Sequence, residues 1–83
     1  MTNTISFKEF QRFLNDLGFA AKRADAAWVF QHRTEGLLVY RMYRDNEPVD
    51  ERDLRSTRKF LDLRGLLEAK AFDVFVQEAS TPA

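Results

Sequence analysis

Hydrophobic spacing changes twice along this chain, and the two changes restrict the fold more than any other property of the sequence. Phe7, Phe10, Leu14 and Leu17 recur every three or four residues, with Phe13 widening the stripe, which is the spacing of one face of a helix. From residue 27 the spacing drops to two, with Trp28, Phe30 and His32 on one side and Ala27, Val29 and Gln31 on the other, as in a strand. Helical spacing then returns with Leu54, Thr57, Phe60 and Leu61. A chain that alternates in this way has to lay helices on a sheet, because neither a bundle nor a sandwich accommodates both periods.

The helix ends are marked. Ser6 and Glu9 form a capping-box pattern flanked by Ile5 and Phe10 as a hydrophobic staple, so residues 7 to 17 are expected to be helical. Gly18 stands where a left-handed residue closes a helix, with Phe19 able to fold over Leu14. Val49, Asp50, Asp53 and Leu54 repeat the staple and cap, with Asp in place of the capping-box Glu. Leu61, Gly65 and Leu66 repeat the closure, which sets a second helix at 51 to 64. A third, shorter helix is expected from about residue 68 on the spacing of Phe72, Phe75 and Val76.

Between the first two helices, residues 19 to 23, 27 to 32 and 37 to 44 read as strands. Ala24-Asp25-Ala26 and Arg33-Thr34-Glu35-Gly36 are the turns, and Pro48 prevents the sheet from continuing. The expected fold class is therefore α+β, with the order α-β-β-β-α. It is a three-stranded antiparallel meander with two helices on one face and a short C-terminal helix, and the other sheet face is more open. One domain spans residues 1 to 83, with a core from about 6 to 78 and loose ends at 1 to 4 and 79 to 83. Eight phenylalanines enlarge a core that 83 residues would otherwise leave thin.

His32 is the single histidine and there is no cysteine. One imidazole does not supply both an acid and a base, and no Cys/His set exists for zinc, so no cofactor and no metal are expected. Asp50, Glu51 and Asp53 cluster, but in a first helical turn, where capping and the helix dipole favour negative charge. Formal net charge is zero, yet residues 20 to 44 carry Lys22, Arg23, Arg33, Arg41 and Arg44 against only Asp25 and Glu35. A modest positive patch is expected there, without the domain-wide basic field of a non-specific nucleic-acid binder. No apolar run reaches membrane length and no signal-peptide core follows Met1, so a cytoplasmic protein with no membrane partner is expected.

The succession of a helix, Gly18-Phe19, a short strand, Phe30-Gln31-His32 before a turn, a returning strand, and a helix bearing Asp53-Leu54-Arg55-Ser56 through to Gly65-Leu66 resembles the HicA-type toxins. The likeness covers about residues 6 to 66. It implies a double-stranded-RNA-binding-like fold and, in an intact member, ribosome-independent mRNA cleavage within a toxin–antitoxin pair. The family carries its catalytic histidine in a Gly-Ser-His stretch at the start of the second strand. Aligned on Phe30, this chain has Asp25-Ala26-Ala27 there, and Ala27 cannot accept a proton. His32 matches a second histidine that follows the strand's aromatic residue. The family also tends to be basic, whereas this chain is neutral.

The candidate recognition residues are Lys22, Arg23, Trp28, His32, Arg33, Arg41, Tyr43 and Arg44, with Tyr40 interleaved, together with the helical stripe Arg52, Arg55 and Lys59. Arginine pairs with phosphate and aromatic rings stack on splayed bases. Each also has a plain structural reading: solvated strand ends, a helix stripe neutralised by Glu51, Asp62 and Asp45, and a histidine half covered by Trp28 and Phe30 and bonded to a backbone carbonyl. His32 is the only catalytic candidate. Leu63 projects away from the inward helical stripe, as an interface residue would, or lies beneath the third helix. The expected function is a non-catalytic or catalytically degenerate HicA-like recognition domain that binds RNA or a partner protein. The alternatives are an active mRNA interferase that uses the displaced histidine and is restrained by an antitoxin, and a protein-binding subunit or regulator of a larger assembly.

Overall fold

The computed structural model describes residues 5–79. The order is α1 (Phe7–Asp16), β1 (Phe19–Ala24), β2 (Ala27–His32), β3 (Gly36–Arg41), α2 (Glu51–Leu63) and α3 (Ala69–Ala79). The strands form an antiparallel meander in the order β1-β2-β3, as the change of spacing predicts. Ala79 closes α3 and packs on the core; the remaining residues expected to be loose, 1 to 4 and 80 to 83, lie outside the described residues.

Strand register decides which side chains share a face. Ala21, Phe30 and Leu38 form one cross-strand row, and Arg23, Trp28 and Tyr40 the next, both toward the helices. Phe7 of α1 packs on this face between Phe30, at 6.0 Å between ring centroids, and Trp28, at 5.8 Å. Phe10 meets the Tyr40 ring edge-on, and α2 reaches the same tyrosine through a hydrogen bond between the Tyr40 and Thr57 hydroxyls. Phe7, Phe10, Leu14, Phe30 and Leu61 are fully buried, and each large apolar side chain so placed contributes about 1.5–3 kcal/mol. The third helix packs on the helices rather than on the sheet. Phe75 stacks on Phe13 of α1 at 3.8 Å, Phe72 meets the same ring edge-on, and Asp73 takes a two-pronged ion pair from Arg58 of α2.

The ends of α1 follow the sequence pattern and add a tertiary element. Glu9 N–H donates to Ser6 Oγ, half of the capping box, while Phe7 and Lys8 N–H donate to the Glu47 and Asp45 carbonyls. The segment between β3 and α2 thus satisfies amides that the first turn of α1 would leave orphaned. At α2 the expected reciprocal cap does not form, and the Asp50 side chain makes no cap hydrogen bond. Tyr43 Oη stands between the two partners instead, accepting from Asp50 N–H at 2.9 Å and donating to Asp53 Oδ2 at 2.6 Å. Its C-terminus closes as the pattern predicts: Gly65 adopts a φ of 70° and Leu66 N–H donates to the Leu61 carbonyl.

The return strand is shorter than the expected 37 to 44. It starts at Gly36 and stops at Arg41, because Tyr43 N–H turns back to the Arg41 carbonyl at 2.8 Å. This bend lays the Tyr43 ring on Phe7 at 5.0 Å and presents the Tyr43 carbonyl to Trp28 Nε1. Of the segment expected to reach solvent, Arg41 and Arg44 are exposed as expected, while Tyr43 is a buried anchor.

Candidate functional site

The candidate residues fall in four places rather than one. Arg23, Trp28, Tyr43 and Arg41 gather at one end of the sheet; His32 and Arg33 lie at the other. Lys22 lies mid-strand on the face away from the helices, which Arg41 shares at its end, and Arg52, Arg55 and Lys59 line the exposed side of α2.

At the first end the groups expected to stack on bases are committed to the fold. Tyr43 is 3% exposed and Tyr40 is 4% exposed, so neither ring offers a face to a ligand. Burial first, then the hydrogen bond to Asp53, pushes the Tyr43 hydroxyl well above the usual phenol range, and burial does the same to Tyr40. Trp28 is half-buried against Phe7, donates to the Tyr43 carbonyl, and has the Arg23 guanidinium over its ring at 5.8 Å. The Arg41 guanidinium lies over the Tyr43 ring at 3.9 Å and pairs with Glu47 at 2.7 Å and Asp50 at 3.4 Å. Arg41 holds the Glu47 carboxyl below the usual glutamate range, helped by the Arg44 backbone amide. Arg44, in the loop that follows, is exposed, and its charge also favours the ionised Glu47 carboxylate.

His32 holds a turn. Its Nδ1 accepts from the backbone amides of Thr34, at 3.2 Å, and Glu35, at 3.3 Å. Two donors on Nδ1 leave the neutral ring its proton on Nε2, and that atom faces Gly18. The ring packs edge-on against Phe19 rather than beside Trp28 and Phe30, and it accepts from amides rather than donating to the expected carbonyl. The adjoining open cleft, of about 430 Å³, is lined by Asn15, Gly18, Phe19, Ala20, Gln31, His32 and Arg33 and contains no carboxylate. A general base needs a free lone pair and a group to orient it. Here the lone pair is already used by the turn.

On α2, Arg52, Arg55 and Lys59 are exposed, and among the described residues none forms an ion pair with Glu51, Asp62 or Asp45. Asp62 accepts from Ala69 N–H instead. Arg55 lines a shallow groove of about 350 Å³ between α2 and α3, floored by Leu54, Phe72 and Val76. No group of three or more His, Cys, Asp or Glu side chains is placed to hold a metal among the described residues. No helix among them is long and apolar enough to cross a membrane.

The sheet face without helices is open as expected, but the candidate list includes none of its apolar residues. Its nine positions are Ala20, Lys22 and Ala24 of β1, Ala27, Val29 and Gln31 of β2, and Leu37, Val39 and Arg41 of β3. Leu37 is 52% and Val39 57% exposed, directly across from Gln31 and Val29. Leu63 is exposed rather than covered by the third helix, and Leu37, Val39 and Val74 are exposed too. The signal was present in the sequence: Leu37-Leu38-Val39-Tyr40 is apolar on both sides of a strand that has a core on only one.

No protein-family model, no curated protein and no solved structure matches this chain.

Proposed function

We propose that this chain is a non-catalytic recognition domain of HicA-like type, whose partner is another protein held on the open face of the sheet. The observation that carries this reading is the exposure of Leu37 and Val39 beside Val29 on a face that no element among the described residues covers. Two arrangements weigh against cleavage. Ala27 stands where the resembling toxins keep their catalytic histidine, and His32 spends its Nδ1 lone pair on the β2–β3 turn.

Binding to RNA is the second reading, favoured by one observation: Arg52, Arg55 and Lys59 present three unpaired cations on one side of α2. Titration with single-stranded and duplex RNA at low and physiological salt separates the two. The protein-binding reading expects only weak association, indifferent to the Arg52→Ala/Arg55→Ala/Lys59→Ala triple variant. Tight association that falls steeply with salt and is lost in that variant overturns it. Expression in a bacterial host tests the interferase alternative. No growth arrest is expected, and an arrest relieved by a folded His32→Ala variant would reinstate catalysis.

A further inference from the structure

Resting on the protein-binding reading, we infer that the occupant of the open sheet face is a single amphipathic helix of the partner, apolar toward Val29, Leu37 and Val39 and acidic along the flank that meets Lys22. Size selects the helix. Three strands about 4.8 Å apart and six residues long present a platform about 10 Å wide and about 20 Å long, or roughly 300 Å² once the side chains are included. A helix about 10 Å across and about 13 residues long matches that footprint. The face is well under the about 800 Å² that each partner of a stable globular pair buries, so it suits a small, transiently held element rather than a second globular domain.

Charge selects the flank. No acidic side chain stands among the nine positions of the face, whereas Lys22 lies in its central row, across from Val29 and Val39, with no ion pair of its own. Arg33, also unpaired, follows β2 in the turn at one end of the face. Arg41 at the other end is already matched by Glu47 and Asp50. On the face itself the uncompensated charge is therefore Lys22, on the β1 edge strand, while Leu37 and Val39 lie on β3. A second copy of this chain is disfavoured, because the same face on the partner copy supplies no acid to meet Lys22.

The test is selection from a displayed library of 14-residue helical peptides, with apolar residues on one face and Glu, Gln or Lys permitted on each flank. On the unaltered protein, enriched peptides should carry Glu on one flank only. Their affinity should fall at least tenfold on Val39→Glu, an exposed position at which unchanged circular dichroism is expected, and on Lys22→Glu the flank preference should invert to Lys. Amide shifts in a nuclear magnetic resonance titration should map to residues 20–24, 27–31 and 37–41. Enriched peptides that ignore flank charge, survive Val39→Glu or map to the α2–α3 groove overturn this inference and leave protein recognition standing. No enrichment, together with duplex RNA shifting the α2 resonances, overturns both.

Discussion

Replacing Tyr43 by Phe removes one oxygen and nothing else, so it measures what that hydroxyl does for the start of α2. The oxygen donates to Asp53 Oδ2 at 2.6 Å and accepts from Asp50 N–H at 2.9 Å. A hydrogen bond to a carboxylate contributes about 1.5–3 kcal/mol in mutational series. The lost acceptor for Asp50 N–H adds little, because Asp50 is exposed and water can replace the oxygen. The stacked contact with Phe7 at 5.0 Å survives in the phenylalanine ring, so no cavity opens. The net loss should be about 2 kcal/mol, which in a domain of this size lowers Tm by roughly 8–16 °C. Urea unfolding followed by fluorescence of Trp28, the single tryptophan, is the assay, with the m-value expected to stay constant. Adding Asp53→Asn should cost little beyond the single change, because the shared interaction is already gone. A loss below about 0.5 kcal/mol, or strictly additive single and double variants, would refute the idea that the hydroxyl caps this helix.

Both buried tyrosines have hydroxyls raised above the usual phenol range, so the folded chain binds these protons more tightly than the unfolded chain. Their stabilisation is complete below about pH 10 and is lost as pH rises through the unfolded phenol range toward the folded one; phenolate absorbance and unfolding should therefore appear together in an alkaline titration. Gly18→Ala combines a φ of 101° with a new Cβ at 3.2 Å from His32 Nε2, and should destabilise by more than the roughly 1 kcal/mol of left-handed strain alone, read as a shift in the urea midpoint. His32→Ala should cost only about 1 kcal/mol, because the amides it frees lie in a largely solvated turn, and hydrogen exchange should speed up at Thr34 and Glu35 before anywhere else.

Element type and order were legible because each element carries its own signal. Gly18 and Gly65 both take the left-handed conformation that closes a helix, and strand β2 spans the residues whose alternation marks it. What failed were the places where one side chain serves two elements. The pattern Val49, Asp50, Asp53, Leu54 reads as a self-contained cap, yet the cap is completed by a tyrosine from the preceding loop. Alternation through Arg41, Met42, Tyr43 and Arg44 reads as strand, yet Phe7 and Trp28 draw Tyr43 into the core and end β3 at Arg41. Tyrosine is amphipathic, so composition could not say whether its ring was a stacking surface or an anchor. The candidate list overcounted aromatic contacts for this reason, and it passed over Leu37 and Val39 because apolar strand residues are assigned to the core by default.

The open face follows from where the aromatic residues were placed. The third helix could in principle have crossed the bare side of the sheet, but Phe13 stacks on Phe75 and directs α3 onto the helical layer. The opposite sheet face carries Ala20, Ala24 and Ala27, too small to anchor a helix of the same chain, with Leu37, Val39 and Val29 as the exceptions. At roughly 300 Å², this patch is within what a soluble monomer tolerates, so the chain need not aggregate. A helix docked there removes about 600 Å² from the two partners together, below the size of standard stable interfaces and in the range of transient ones. Lys22, Gln31 and Arg41 take a third of the nine positions, so at about 25 cal/mol per Å² of apolar area the gross gain is at most roughly 10 kcal/mol, and the loss of rigid-body freedom offsets much of it. The same geometry that argues for a helix therefore argues for micromolar, reversible binding, with Val39 and Leu37 carrying most of the contact and Lys22 setting which helices are accepted.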